Sequence, residues 1–135
     1  PKLLEERKRV FNTYTQAFEN CNWAIVPPSI EGDKESSYHI YALRIKDFTE
    51  EQRDRMIDEI AKSEVAVNVH FIPMPMLSFF NSLGYDIKDY PQAYENFKGE
   101  ISLPIYPQLD EKKLAFIIDT VKAAYRKVAG DKIVE

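Results

Sequence analysis

Apolar residues recur along the chain with two different periods, and the change of period separates predicted helices from predicted strands. In residues 3–18 the apolar positions recur every three or four residues and fall on one stripe of a helix. Residues 114–125 repeat this spacing, and Asp110 is placed to cap the helix that contains them. A third helix is predicted to begin after Thr49, because Gln52 three residues later completes a capping-box pattern.

Three shorter stretches, residues 37–45, 65–71 and 101–103, are rich in branched or aromatic residues and predict β-strands. The clearest is 65–71, where three valines and a phenylalanine alternate with alanine, asparagine and histidine. Because alternate side chains of a strand point to the same face, Asn68 and His70 are expected to share the less apolar face. The prolines that follow end this strand, since proline cannot donate to a sheet ladder.

The remaining segments are predicted to be irregular or briefly helical. Residues 21–34 hold two prolines, a glycine and an aspartate, which predict a loop. Short helices are expected at 76–83 and 91–97, and the tail 130–135 is expected to fray. The order of elements predicts an α+β two-layer sandwich, in which a small, mainly antiparallel sheet of about three strands is covered by helices on one face. Residues 1–135 are expected to form a single domain.

The composition narrows the class of protein. Hydrophobic residues make up 44% of the 135-residue chain and charged residues 30%, a balance typical of globular domains in water. The formal net charge of −4 argues against nucleic acid as a partner, because that partner needs a basic face. No apolar run approaches the roughly 20 residues that cross a bilayer, so no membrane span is expected. The single cysteine, Cys21, excludes an internal disulfide and fits a reducing cytoplasm.

Few residues point by themselves to chemistry. The four glycines are scattered, so no phosphate-binding glycine loop is expected, and His39, His70 and Cys21 lack the spacing of a metal site. A nucleophilic pair of Cys21 with either histidine stays open, although a lone buried cysteine is the commoner arrangement. The carboxylates that follow Thr49 are expected to form a solvated helix flank. Aromatic residues crowd 71–90, where they either anchor a loop onto the sheet or form the lip of a ligand pocket.

An ordered set of short motifs runs through nearly the whole chain. The motifs are S-Y-H-I-Y at 37–41, R-D at 53–54, V-H-F with a following proline at 69–73, G-Y at 84–85, P-Q-A at 91–93 and I-S-L-P-I-Y-P at 101–107. In this order and spacing they resemble the C-terminal domain of the DegT/DnrJ/StrS-type sugar aminotransferases, a family of pyridoxal-phosphate enzymes. The opening helix, residues 1–20, is similar to the family's linker helix into this domain.

The resemblance implies a function for a longer parent protein. Because the sequence starts at Pro1 rather than methionine, we expect that the chain was processed or cut from such a parent. The fold would be the small domain of a fold-type I enzyme that works as a homodimer. Such enzymes transfer an amino group, usually from glutamate, to a nucleotide-linked keto-sugar that feeds surface polysaccharides, lipopolysaccharide or glycosylated antibiotics.

The resemblance also implies which chemistry this chain leaves to the parent. The family's lysine that forms a Schiff base with pyridoxal phosphate, and the acid that pairs with the pyridine nitrogen, lie in an N-terminal domain that this chain lacks. The chain alone is therefore expected to bind no cofactor and to hold no catalytic residue. Its own partners are expected to be that missing domain and the nucleotide-sugar substrate.

Three substrate-binding candidates follow from the resemblance. His70 and Phe71 fall where the family has a His-Tyr or His-Phe pair facing the active-site cleft. The imidazole of His70 can hydrogen-bond a sugar hydroxyl or a phosphate, and Asn68 shares its face and can assist. A histidine satisfied at the end of a strand is an alternative of nearly equal weight.

A rival hypothesis belongs to another class of protein. In it the chain is a standalone α+β interaction or ligand-binding module without catalysis. The two hypotheses predict different surfaces. The standalone module predicts a fully polar surface, whereas the enzyme fragment predicts an exposed apolar patch where the missing domain docked.

Overall fold

Helices and short strands alternate through residues 2–130, the part of the chain that the computed structural model describes. In chain order the elements are α1 (Lys2–Phe18), β1 (Ala24–Ile25), β2 (Ile30–Glu31), β3 (Lys34–Glu35), β4 (Tyr41–Ile45), α2 (Glu50–Ala61), α3 (Ser78–Ser82), α4 (Pro91–Lys98), β5 (Glu100–Leu103) and α5 (Glu111–Gly130). No helix in this range combines the length and the apolar character that a bilayer crossing requires.

The main sheet has three antiparallel strands in the order β1–β4–β5. Tyr41 lies opposite Leu103 and Leu43 opposite Ile101, and all four side chains are buried against helices α1, α2 and α5. Side chains of a strand alternate between faces, so the residues between them lie on the other side of the sheet. This arrangement confirms the predicted α+β fold with helices packed on one face of a small antiparallel sheet.

Helix α1 is part of the hydrophobic core. Val10, Phe11, Tyr14 and Phe18 are all buried, at the helical spacing that the sequence predicts. The ring of Phe11 meets the ring of Tyr41 edge to face, with centroids 4.8 Å apart, and the Tyr14 hydroxyl donates to the carbonyl of Pro104 at 2.7 Å. The opening helix therefore packs on the sheet along its second half.

The predicted helix caps are confirmed. Thr49 Oγ1 accepts from the Gln52 amide, and the Gln52 side chain accepts from the Thr49 amide, so both halves of the capping box are present. Asp110 accepts from the Lys113 amide at 2.8 Å and caps α5. Between α4 and β5, a Cβ on Gly99 would lie 2.5 Å from the carbonyl oxygen of Ile45, so only glycine fits this close approach.

The prediction of a strand at 65–71 is wrong, because these residues form no strand in the structure. Their alternation of exposed and less exposed side chains nevertheless persists as far as His70. Asn68 alone pairs with Ser102, in an isolated antiparallel bridge. The ladder does not continue because side chains take the next amides: Val69 N–H donates to its neighbour Asn68 Oδ1 and His70 N–H donates to Glu100 Oε2. The peptide bond between His70 and Phe71 is cis.

Other boundaries also differ from prediction. The strand predicted at 37–45 begins only at Tyr41, because Tyr38 has a positive φ of 54° and its amide bonds to Ser36 Oγ. The segment predicted as a loop at 21–34 contributes β1 to the main sheet and forms the hairpin β2–β3, whose turn includes Gly32 at a φ of 61°. The helices predicted at 76–83 and 91–97 and the strand at 101–103 are confirmed as α3, α4 and β5 with shifted ends.

Gly130 ends α5, and the rest of the tail predicted to fray lies outside the described residues.

Substitution of Phe11 by alanine tests whether α1 belongs to the core. Phe11 is 1% exposed and Leu3 on the same helix is 66% exposed. We expect Phe11→Ala to lower the free energy of unfolding by about 3–5 kcal/mol, and the control Leu3→Ala to change it by less than about 0.5 kcal/mol. Urea unfolding followed by the fluorescence of the single tryptophan, Trp23, measures both. Equally small losses of unfolding free energy in the two variants would show that α1 is not part of the core.

Candidate functional site

The face of the sheet that points away from α1, α2 and α5 carries polar side chains. On β4 and β5, Ala42 lies opposite Ser102 and Arg44 opposite Glu100. The bridge between Asn68 and Ser102 adds a further short stretch of chain at the edge of this face. The polar residues of three separate segments therefore meet on one surface, which we call the open face.

A cavity of about 480 Å³ lies on this side of the sheet. Two of the three predicted site residues, Asn68 and His70, line it together with His39 and Ser102. Apolar residues complete its wall: Ile40, Ala66, Val67, Leu103, Pro104 and Ile105. The cavity offers imidazole, amide and hydroxyl groups beside an apolar surface, which suits a ligand with several hydroxyl groups or a phosphate.

Phe71, the third predicted site residue, lines a neighbouring cavity of about 380 Å³. Arg44, Asn96 and Glu100 contribute its polar groups, and Arg44 donates to Asn96 Oδ1 at 2.5 Å. His70 belongs to the walls of both cavities. The Phe71 side chain is 72% exposed, so most of its ring is available to contact another molecule.

Glu100 is a functional candidate that the sequence did not reveal. Its side chain is 5% exposed, and its carboxylate accepts hydrogen bonds from the Ser102 hydroxyl at 2.5 Å and from the His70 amide at 2.9 Å. Burial raises the pKa of this carboxyl above its ordinary value, while the two hydrogen bonds oppose that shift. A buried acid with a raised pKa in the wall of a cavity is typical of functional sites, and of structural networks as well.

The other chemical candidates are not brought together. Cys21 packs against the core and donates to the carbonyl of Ala17, and it lines neither of the two cavities beside His70. The carboxylates of α2 are mostly exposed, and Glu59 pairs with Lys62 and Lys127, as expected for a solvated flank. Among residues 2–130 no cluster of three or more metal-binding side chains occurs.

A larger cavity, of about 600 Å³, lies at the start of α5. Its charged residues are exposed: Glu64, Asp110, Lys112 and Lys113. None of the three predicted site residues lines it. The smaller cavity is the better candidate because its polar groups converge from several segments onto one concave surface.

The segment 66–96, which the structure describes throughout, contains no buried residue. It instead exposes a group of large apolar side chains: Phe71, Ile72, Met74, Phe79, Leu83, Tyr85 and Tyr90. Within it Phe80 contacts Phe79 and Tyr85 edge to face, so these aromatic rings pack on one another. Exposed apolar segments of this kind are typical of surfaces that bind another protein, a membrane or a ligand.

Comparison with known proteins gives consistent matches. Residues 1–122 match the DegT/DnrJ/EryC1/StrS aminotransferase family. A putative sugar aminotransferase from Streptococcus pneumoniae, solved in apo, PMP and PLP forms, superimposes in its apo form with a TM-score of 0.92 and 34% identity, over 98% of this chain and 33% of its own.

Two curated relatives agree with this match. The UDP-4-amino-4,6-dideoxy-N-acetyl-beta-L-altrosamine transaminase of Campylobacter jejuni is 29% identical over 93% of this chain and 33% of its own length. The spore coat polysaccharide biosynthesis protein SpsC of Bacillus subtilis is 25% identical over 89% of this chain and 31% of its own length. The chain spans about a third of the length of these relatives.

The residues of the open face do not fit pyridoxal phosphate, the cofactor that the resemblance implies. Neither cavity beside His70 has a lysine in its wall to provide the Schiff-base amine. Hydrogen bonds to Glu35 and Glu95 raise the pKa of the Lys8 and Lys98 amines, the opposite of what a nucleophilic amine needs.

The buried charge of Glu100 predicts a pH dependence of stability. Because the folded-state pKa is raised, its stabilising contribution is present below the unfolded pKa and is lost as the pH rises through the folded pKa. We therefore expect the wild-type chain to gain stability relative to Glu100→Gln as the pH falls from about 8 to about 5. Urea unfolding of both proteins across this range measures the difference.

Glu59→Gln is the matched control. Hydrogen bonds from Lys127 and Lys62 lower the pKa of the partly buried Glu59 carboxyl below its ordinary value of 4.5. The stability of the wild type relative to this variant should therefore stay level between about pH 8 and about pH 5 and fall only at lower pH. If the difference in unfolding free energy between wild type and Glu100→Gln stays constant over this range, or becomes less favourable to the wild type as the pH falls, the burial of a charge at Glu100 is contradicted.

Proposed function

The chain belongs to the DegT/DnrJ/EryC1/StrS aminotransferase family, as its motifs predicted, and from this premise we propose that it forms one wall of the substrate site in a pyridoxal-phosphate-dependent sugar aminotransferase. In this proposal, residues 1–135 are the C-terminal small domain of the parent enzyme, and residues 1–20 also link it to the preceding domain. The substrate is a nucleotide-linked keto-sugar, and its product feeds polysaccharide or cell-surface sugar synthesis in the cytoplasm.

The observation that carries the proposal is the convergence of Asn68 and His70 on one cavity of the open face. Both side chains are exposed, so they can exchange water for a ligand at low cost. The imidazole of His70 can donate to a sugar or phosphate oxygen, and the amide of Asn68 can donate and accept at hydroxyl groups. Phe71, on the neighbouring cavity, supplies an exposed ring for the apolar surface of the same substrate.

The cofactor would be held elsewhere in the parent. Pyridoxal phosphate supplies the electron sink and the amino-group carrier of a transaminase when it is bound. The S. pneumoniae relative is described in PLP and PMP forms, and this chain covers only 32% of it in either form. The lack of a lysine beside His70 supports the proposal that the Schiff-base lysine and its acidic partner come from the preceding domain, and that this chain alone is inactive.

The exposed apolar segment supports a fragment of a larger enzyme over the rival hypothesis of a standalone module. A standalone module predicts a polar surface, whereas seven large apolar side chains are exposed between Phe71 and Tyr90. In the proposed parent this segment lies against the cofactor-bearing domain or against the second subunit of a homodimer. That contact would also bring His70 and Phe71 to the edge of the active site.

Alanine variants in the protein that joins this chain to a lysine-bearing domain test the substrate contacts. We expect His70→Ala to raise KM for the nucleotide sugar about tenfold, the cost of one lost hydrogen bond to a polar or charged group. Asn68→Ala and Phe71→Ala should raise it severalfold, with the absorbance of the bound cofactor unchanged. Asn22→Ala and Phe116→Ala are controls, because these residues are exposed and line neither cavity beside His70. Unchanged KM in all three site variants refutes the proposed contacts.

The proposed absence of the cofactor lysine has its own test. We expect the purified 135-residue chain, mixed with pyridoxal phosphate, to show only the absorbance of the free cofactor after dialysis. A stoichiometric absorbance band that survives dialysis and disappears on replacement of one lysine would show that the chain carries a cofactor site after all. The joined protein is the positive control.

A further inference from the structure

We propose that Glu100 is a positioning residue for His70. The Glu100 carboxylate fixes the backbone of the segment that carries Asn68 and His70, and it thereby sets where the His70 imidazole stands in the cavity. The consequence for substrate rests on the function proposed for His70. The hydrogen bond between the His70 amide and Glu100 is a property of this chain and can be tested without substrate.

The segment that carries His70 has little backbone pairing of its own. Asn68 and Ser102 exchange two hydrogen bonds, of 3.2 and 2.7 Å, and this bridge is isolated from the named strands. The amide of Val69 turns back to the Asn68 side chain. One bridge fixes the position of Asn68 but leaves the residues after it without a ladder. The hydrogen bond from the His70 amide to Glu100 Oε2, 2.9 Å long, is the next attachment to the sheet.

The carboxylate that receives this hydrogen bond is held rigidly in turn. Glu100 and Ser102 are two residues apart on β5 and share a face, and the Ser102 hydroxyl donates to Oε1 at 2.5 Å. The backbone of both residues is paired with β4, at Arg44 and Ala42. A continuous chain of hydrogen bonds therefore joins strands β4 and β5 to His70, and each member except His70 lies in the sheet.

A carboxylate suits this role because both of its oxygens accept hydrogen bonds at the same time. Alanine at this position would leave the His70 amide without its acceptor. Glutamine would keep one oxygen for that amide, and its NH2 group could donate to Ser102 Oγ. The charged and titratable groups that face Glu100 are His70 on the bridged segment and Arg53 on α2, with Arg44 opposite on β4.

Amide NMR of the 15N-labelled chain tests the hold directly. In the wild type we expect part of the pH-dependent change in the chemical shift of the His70 amide to follow protonation of the Glu100 carboxyl. In Glu100→Gln that part should vanish. In Glu100→Ala, hydrogen exchange should rise at residues 69–71, with the β4 and β5 amides unchanged.

The control variant is Glu59→Ala, which removes an equal charge far along the chain and should leave the His70 amide as in the wild type. If the chemical shift of the His70 amide does not respond to protonation of the Glu100 carboxyl, the proposal is wrong. So does an exchange increase that spreads evenly over β4 and β5, since that pattern reports a general loss of stability. If Glu100→Ala fails to fold, the comparison of wild type with Glu100→Gln decides the question alone.

Kinetics in the protein joined to a lysine-bearing domain separate this proposal from the function proposed above. We expect Glu100→Ala to raise KM for the nucleotide sugar severalfold with little change in kcat, and Glu100→Gln to restore it. In a double-mutant cycle, Glu100→Ala should add no further increase once His70 is alanine. Additive effects contradict action through His70. If His70→Ala leaves KM unchanged, the proposed substrate contact fails, while the NMR result still stands or falls by itself.

Discussion

Four residue pairs join β4 to β5, from Tyr41 opposite Leu103 to Arg44 opposite Glu100, and this antiparallel ladder sorts the side chains of both strands onto two faces. On one face Tyr41, Leu43, Ile101 and Leu103 are buried beneath three helices. The other face carries the polar side chains of Arg44, Glu100 and Ser102. A slip of one residue would exchange the two faces, so the register that builds the core also places the candidate site.

The segment that follows α2 adds Asn68 and His70 to the polar face and so completes the candidate site. The Asn68–Ser102 bridge attaches this segment to β5, and Glu100 holds the amide of His70. Beyond His70 the chain runs through residues 71–96 without one buried side chain. A rigid sheet therefore meets an apolar segment that lacks a core of its own. This combination supports the proposal that the chain completes a substrate site together with another domain or subunit.

The sequence was sufficient for the parts of the fold that local physics determines. The stripe of α1, the capping box at Thr49 and the order of motifs all predicted what the structure or the comparisons show. The prediction of a strand at 65–71 was wrong. The alternation of side chains is present, but the amides of Val69 and His70 donate to the side chains of Asn68 and Glu100 instead of to a neighbouring strand. Period alone cannot tell a strand from an extended segment that is held by side chains. Glu100 was missed because the strand predicted at 101–103 began one residue after it, and because its contact with His70 is tertiary.

A crystal structure of this chain joined to the lysine-bearing domain proposed for its parent, with a nucleotide sugar bound, tests the central claim most directly. The account predicts that the ligand lies against the open face, with one of its oxygens within hydrogen-bonding distance of the His70 imidazole. It also predicts that residues 71–90 are covered by the other domain or by the second subunit. A ligand bound without contact to Asn68, His70 or Phe71 would contradict the account, as would an apolar segment that stays exposed to solvent.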